Sequence, residues 1–239
     1  MKLILILIVM LYSQQSIAQC QVDHTSLRAD YQLTFYSDKH MTRQSELILW
    51  RQGDTVAHQY PQTHITETWY LSKNQQIKPT RYFDEYLRAI EYQPGEQVHG
   101  KSERDWLYRY QLVSENLLAQ MTLKQESGSG CERQQVFVHQ STNSSIELTW
   151  LPEQQLLSHF RWQKAEVSEE WQLVAQNHDE KTIKTFFNKL DQYKSTDYAD
   201  IGDDHSDPFL TKMVTLGFVE HGASGFYDTQ GKLIDGHDH

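Results

Sequence analysis

Short segments in which apolar and polar residues alternate fill the chain between residues 31 and 92. Polar turns such as Gln52-Gly53-Asp54 separate them, and each segment is rich in aromatic and β-branched residues. This spacing predicts the strands of an antiparallel meander. The predicted strands are residues 31–37, 44–50, 54–60, 65–71, 75–84 and 87–92. Because Pro79 cannot donate to a ladder, it predicts a sheet edge or a bulge.

The apolar period then changes to three or four residues, which predicts a helix over residues 103–120. Ser102 and Asp105 resemble a capping box at its start. The apolar stripe consists of Trp106, Tyr110, Val113, Leu117 and Met121. Alternation resumes in residues 134–140, 146–151, 156–163 and 170–176. A second helical stripe follows over residues 177–194, with Asn177 as N-cap and Glu180 at N3.

About ten antiparallel strands with a central helix must curl to bury an apolar face. The predicted fold class is therefore mainly β (α+β), a curled meander of half-barrel or barrel-like form with C-terminal helices. In strand count, in the placement of the central helix and in its predicted export, the chain resembles the periplasmic lipoprotein-localisation carriers, which have a half-barrel fold. That resemblance implies a cavity for acyl chains. The candidate lining residues are Trp50, Trp69, Phe83, Trp150 and Trp162.

The alternative is that the chain's own aromatic residues fill the interior. It has six Trp, 13 Tyr and nine Phe, and aromatic stripes usually belong to a core.

The first 18 residues have the pattern of a secretory signal peptide. Lys2 precedes an apolar run over residues 3–11, and Ser16 and Ala18 are small residues suited to a cleavage site. We therefore predict export to the periplasm and a mature chain that begins at Gln19. A lipoprotein anchor at Cys20 requires a small preceding residue, and Gln19 argues against it.

The two cysteines, Cys20 and Cys131, predict a disulfide bond in that oxidising compartment. The alternative, a pair of soft metal ligands, lacks a CxxC motif. Lys and Arg number 22 against 32 Asp and Glu, for a formal net charge of −10. That balance argues against nucleic acid as a partner, because phosphates require a basic face.

An acidic segment begins at residue 196, and we divide the mature chain there into a β domain (19–195) and a C-terminal extension (196–239). Asp207-Pro208 predicts the start of a short helix that ends at Gly217. The phrase ADIGD, three residues and then DPF, in residues 199–209, resembles secreted bacterial proteins of unknown function. The resemblance implies the compartment and no activity.

The extension also combines carboxylates with imidazoles, a donor set for Zn²⁺, Cu²⁺ or Ni²⁺ ahead of Ca²⁺. The spacing does not match an EF-hand loop. The candidate metal ligands are Asp203, His205, Asp207, Glu220 and His221, with His237 and His239 in the tail as further donors. The alternative is a solvated acidic loop in which Asp203 and Asp207 are turn or cap residues.

No HExxH, GxSxG, Walker or dinucleotide-binding motif is present in the sequence. Adjacent carboxyls such as Glu169 and Glu170 point to opposite faces of a strand and make poor acid–base pairs. We assign no catalytic residue and favour a non-enzymatic periplasmic binding or accessory protein. Its partner would be an apolar small molecule, or a segment of another periplasmic protein. The alternatives are a divalent metal-binding protein and a hydrolase-like enzyme whose site is assembled from distant residues.

Overall fold

The computed structural model describes residues 22–96, 103–200 and 206–215. Within them, twelve strands form one curled, open sheet. The strands are β1 (Ser26–Ser37), β2 (His40–Gln52), β3 (Thr55–Tyr60), β4 (Ile65–Leu71), β5 (Ile77–Phe83), β6 (Arg88–Glu91), β7 (Thr122–Ser127), β8 (Gln134–Gln140), β9 (Ser144–Leu151), β10 (Leu156–Lys164), β11 (Val167–Asn177) and β12 (Lys194–Asp197). The α-helices are α1 (Trp106–Gln111), α2 (Glu115–Gln120), α3 (Glu180–Leu190) and α4 (Pro208–Thr215).

The sheet consists of two antiparallel meanders that meet where β1 pairs with β11. One runs from β1 to β6, and the other runs from β7 to β11. The last strand, β12, adds to β6 in parallel. The predicted fold class is thus confirmed. The predicted domain boundary between residues 195 and 196 falls inside β12 and stays a prediction.

Helices cover both faces of the sheet. Helices α1 and α2 pack against one of these faces, which we call the α1 face. Alternate residues of β1, such as Leu27, Leu33 and Phe35, point to the same face. Helix α3 packs against the opposite face, the α3 face, where Ile183 and Phe187 meet strand residues. Because successive strand residues point to opposite faces, two apolar layers form on a single sheet.

The predicted helix over residues 103–120 is wrong, since two short helices occupy this stretch. Leu112 adopts a left-handed conformation with φ 64° and ends α1. Ser114 then caps α2 by accepting a hydrogen bond from the Leu117 amide at 3.1 Å. Asp105 caps α1 through the Tyr108 amide, whereas Ser102 lies outside the described residues. The break buries Leu112 and Val113 in the core, which offsets the cost of an unfavourable backbone.

Pro79 does not mark an edge or a bulge, which corrects the prediction. It lies in β5, between β4 and β6, opposite Trp69 and in regular register. Its carbonyl accepts from the Tyr92 amide at 3.1 Å, just beyond the last ladder pair of β6. Its missing N–H therefore falls where that ladder ends.

Two strands and one cap differ from the sequence predictions. Strands β7 and β12 were not predicted, because both are short and polar. The N-cap of α3 is Asp179, not Asn177, and it accepts from the Thr182 amide at 2.8 Å. No helix in the described ranges is long and apolar enough to cross a bilayer. The predicted signal peptide lies outside those ranges and stays a prediction.

Candidate functional site

The apolar layer on the α1 face is sealed at its centre and less well covered near α2. Around β1, β10 and β11 the side chains of Leu33, Phe160 and Trp171 are almost fully buried. Helix α2 has no buried residue. Four half-buried side chains from α2, β8 and β9 pack against the edge of this layer, and we call them the α2 region. They are Leu117, Leu118, Phe137 and Ile146.

Within the part of the chain that the structure describes, one side-chain hydrogen bond links helix α2 to the sheet. His139 of β8 donates from Nδ1 to the carbonyl of Gln120 at the end of α2, at 3.2 Å. Leu123, directly opposite Phe137 on the edge strand β7, is 47% exposed. Half-exposed apolar side chains therefore extend from α2 across β9 and β8 to the sheet edge.

Glu169 lies on the same face and is only 2% exposed. Its Oε1 accepts a hydrogen bond from Trp171 Nε1 at 2.7 Å, and its Oε2 is buried without a hydrogen-bond partner. Burial raises the pKa of this carboxyl to about 8, although the Trp171 hydrogen bond and the charge of Arg43 act in the opposite direction. At neutral pH the group is therefore a carboxylic acid in an apolar setting.

Cross-strand register connects Glu169 with the α2 region. Glu169 pairs with Trp162 on β10, Trp162 pairs with Ile146 on β9, and Ile146 pairs with His139 on β8. Directly opposed residues share a face, so these four side chains form one row across the α1 face. The row leads from the buried acid to the C-terminal end of α2.

A second, charged set of residues lies beneath α1. Arg51 is fully buried and donates to four backbone carbonyls, with Nε to Tyr110 at 2.9 Å and its terminal nitrogens to His24, Gln154 and Gln155. Burial lowers its pKa to about 10. Because these carbonyls belong to three separate segments, Arg51 joins the N-terminal stretch, α1 and the β9–β10 connection.

His58, Glu67 and Arg81 are directly opposed on β3, β4 and β5 beneath α1. His58 donates from Nε2 to the Arg109 carbonyl at 2.7 Å. Burial, assisted by the nearby charge of Arg109, lowers the pKa of His58 to about 3, so the imidazole is neutral. Glu67 Oε1 accepts from Arg81 Nε at 2.9 Å.

Arg109 lies above this row, 4.3 Å from the Trp69 ring centroid, and pairs with Glu103 at 2.7 Å. Burial acts to lower the pKa of Arg109, but the Glu103 carboxylate raises it on balance. The two arginine–glutamate pairs balance in charge, and the histidine is neutral. These two ion pairs and the neutral imidazole hold α1 in position on β3–β5.

The five candidate cavity residues do not share one lining. Trp69, Trp150 and Trp162 belong to the layer on the α1 face. Phe83 lies in a separate cluster, with its ring centroid 5.3 Å from that of Phe209 in α4. Trp50 is on the α3 face, stacked on Phe186 at 4.0 Å. Of the five, only Trp162 lies in the row between Glu169 and the α2 region.

Among the candidate metal ligands, Asp207 alone lies in the described residues. It caps α4 by accepting from the Phe209 amide at 2.9 Å, and it pairs with Arg88 at 2.8 Å. The hydrogen bond from Arg88 lowers the pKa of this carboxyl. Asp203, His205, Glu220 and His221 lie outside the described residues, as do His237 and His239. In the part of the chain that the structure describes, no three His, Cys, Asp or Glu residues are grouped to hold a metal.

The predicted disulfide also stays a prediction, because Cys20 is outside the described residues. Cys131 lies in the 3-10 helix Gly130–Glu132, where its carbonyl accepts from Gln154 Nε2 at 3.0 Å.

Sequence reasoning missed Glu169 because it considered the carboxyl only as half of a pair with Glu170. The available signal was alternation, since Glu169 shares a strand face with Trp171, which is 1% exposed. The buried position of Arg51 was also missed. It follows a run of apolar residues at the end of a strand, and its carbonyl partners come from segments that only the fold brings together.

Comparisons with known proteins give no family, since no protein-family model and no curated protein matches the chain. Two solved structures of PNGF-II match at 9% identity, with TM-scores of 0.39 and 0.36 over 74% and 79% of this chain. The matched part covers 33% of the PNGF-II chain in each, so this chain spans about a third of that length.

A putative outer membrane lipoprotein-sorting protein domain from Vibrio parahaemolyticus is similar to the chain at 9% identity and a TM-score of 0.30. The similarity covers 70% of this chain and 92% of that domain. Likenesses this low carry no argument about activity.

Proposed function

We propose that this is an exported, periplasmic binding protein that holds an apolar molecule between α2 and strands β8 and β9. The supporting observation is the contrast on the α1 face between its sealed centre and the half-buried α2 region. Leu117 and Leu118 approach this layer from α2, whereas Phe137 and Ile146 approach it from the sheet. An apolar molecule between them would remove both surfaces from water, at roughly 25 cal/mol per Å² buried.

The weak hold on α2 supports the same function. The helix is six residues long, lacks a buried side chain and is flanked by the left-handed turn at Leu112. Isolated helices of this length are unstable, so its position depends on contacts with the sheet. Displacing α2 therefore costs less than displacing α3, which buries Ile183, Phe187 and Leu190.

We favour a small apolar molecule over a strand-like segment of another protein. A segment that adds to the sheet needs a regular open edge. The register of β7 shifts between Leu123 and Gln125, and the edge carries Lys124. Bulges and lysines are the features by which edge strands resist pairing.

The test combines native mass spectrometry with fluorescent probe binding. Untagged protein purified from the periplasm should begin at Gln19 and carry an added mass of a few hundred daltons. The purified protein should bind the apolar fluorophore N-phenylnaphthylamine, and Leu117→Glu should weaken that binding about tenfold or more because it places a charge in the α2 region.

Val174→Glu is the matched control, because Val174 is 58% exposed on β11 and lies outside the apolar layers. It should leave the affinity for the probe unchanged. Circular dichroism and thermal melting must show that both variants remain folded. Equal loss in both variants, or no probe binding by the wild-type protein, would contradict the proposal.

A further inference from the structure

Glu169 differs from Glu67, the other buried glutamate of the described chain, and from the half-buried Glu103 in having no cationic partner. Glu67 pairs with Arg81, and Glu103 pairs with Arg109. Among the described residues Glu169 forms no ion pair, and its single side-chain hydrogen bond leaves Oε2 unpartnered. A buried carboxyl without a cation is costly to keep, so a carboxyl held this way invites a functional explanation.

The hydrogen bond from Trp171 determines what the free oxygen can do. Because Oε1 accepts that bond, the proton of the neutral acid lies on Oε2. Burial raises the pKa to about 8, which keeps this proton in place at neutral pH. Oε2 is thus a hydroxyl donor surrounded by apolar side chains and without an acceptor.

We propose that Glu169 is the polar contact of the bound molecule and donates its Oε2 hydrogen to a carbonyl oxygen of an otherwise apolar ligand. The ligand class is an acyl ester or a long-chain ketone. This inference rests on the proposed function, because it places the apolar part of the same ligand in the α2 region.

The distance between Glu169 and the α2 region indicates how long the apolar chain of the ligand is. Ile146 lies two strands from Glu169, which is about 10 Å at the usual strand spacing. An extended chain of roughly eight methylene groups spans this distance, with its carbonyl at Glu169 and its apolar end beneath α2. Trp162 lies between them and is 6% exposed, so its side chain moves when the ligand binds.

The surroundings of Glu169 favour a neutral ligand over a free fatty acid. Phe35, Trp162 and Trp171 carry no charge. Arg43 lies over the Phe35 ring at 4.0 Å and is exposed, and His139 is three strands away and occupied by Gln120. An ionised carboxylate at Oε2 would be desolvated without a cation beside it.

The experiment measures the affinity of the folded protein for methyl decanoate, decanoate and dodecane by calorimetry at pH 7, with intrinsic tryptophan fluorescence as a second signal. The ester should bind up to about tenfold more tightly than the alkane, which is the contribution of one hydrogen bond. Decanoate should bind more weakly than the ester. Glu169→Leu should abolish the preference for the ester and leave dodecane binding intact. Glu169→Gln, which keeps an N–H donor, should retain most of the preference.

Failure of this inference is distinguishable from failure of the proposed function. Equal wild-type affinity for the ester and dodecane, or an ester preference that survives in Glu169→Leu, would overturn the role of Glu169 and leave the apolar site standing. No binding of any of the three compounds would overturn both. The control Glu166→Leu, in the exposed β10–β11 turn, should keep the wild-type preference, and its loss there would also overturn the role of Glu169.

Discussion

The stability of the Glu169→Gln variant relative to the wild-type protein should rise with pH. The folded state holds Glu169 as a neutral acid because burial raises its pKa from 4.5 to about 8. In the unfolded chain the same carboxyl releases its proton near its ordinary pKa. Between these two values the folded state binds more protons than the unfolded state, so the stability of the wild-type protein falls as pH rises.

The magnitude follows from the two pKa values. Each pH unit above the ordinary pKa costs the wild-type fold about 1.4 kcal/mol until the folded-state pKa is reached. At pH 7 the cost is about 3 kcal/mol, and above pH 8 it levels off. Glutamine keeps an oxygen for the Trp171 hydrogen bond and never ionises, so its stability lacks this loss.

Urea denaturation followed by tryptophan fluorescence at several pH values provides the assay. The difference in unfolding free energy between Glu169→Gln and the wild-type protein should be smallest at pH 5 and rise by about 1.4 kcal/mol per pH unit up to pH 8. A constant offset is expected in addition, because the new amide places an unpaired N–H in the core.

Glu166→Gln is the control for the loss of one carboxyl, since Glu166 is exposed in the turn that precedes β11. Its stability difference from the wild-type protein should show no comparable increase with pH. A flat difference for Glu169→Gln would refute the reasoning, because it would mean that the folded state ionises Glu169 as readily as the unfolded chain does.

Three further predictions concern how the fold holds its elements. Arg51→Lys should lower the free energy of unfolding by more than about 3 kcal/mol in urea denaturation, because lysine cannot reach the four carbonyls that Arg51 joins. An unfolding free energy equal to that of the wild-type protein within experimental error would contradict this. Lys39→Gly should raise the melting temperature and stabilise by about 1 kcal/mol, because Asp38 and Lys39 have φ values of 50° and 65° in the β1–β2 turn and glycine adopts these without strain; a lower melting temperature would count against it. Asp207→Asn should speed amide hydrogen exchange in α4 relative to α3, because it keeps the capping oxygen but removes the ion pair with Arg88 and the negative charge that favours a helix N-terminus. Unchanged exchange in α4 would show that its apolar contacts suffice.

The sheet was predictable from sequence because alternation depends only on local spacing. Strands β4 and β8 have the predicted bounds, and the other predicted strands differ by a few residues at their ends. The split between α1 and α2 was not predictable from the apolar stripe. Val113 fits the stripe whether it lies in a helix or, as here, in the break beside Leu112, and the decisive residue is the cap Ser114.

The placement of the tryptophans shows a second limit. In β2 both sets of alternate residues are apolar: Leu47 and Leu49 face the α1 side, and Ile48 and Trp50 face α3. Because neither set of alternate residues in β2 is polar, the sequence does not indicate which residues face which layer. Trp50 packs against α3, a helix that begins well over 100 residues later in the chain. The five aromatic residues assigned to one cavity therefore divide among three clusters.

The candidate site depends on this division of the sheet. Beneath α1, Glu67 pairs with Arg81 and Glu103 pairs with Arg109, whereas the buried Arg51 donates to backbone carbonyls and joins α1 to the N-terminal stretch. Among the described residues, the contact between Gln120 and His139 is the one polar tie from helix α2 to the sheet. Helix α1 is thus held over β3–β5 by buried polar contacts. Helix α2 lies over the apolar side chains of β8 and β9, and the row of side chains that starts there ends at Glu169. A protein that needed only a stable core would be served by glutamine at position 169, which keeps an acceptor for Trp171 and never ionises. The loss of an ester preference in Glu169→Leu is therefore the result that would distinguish a binding site from a poorly packed edge.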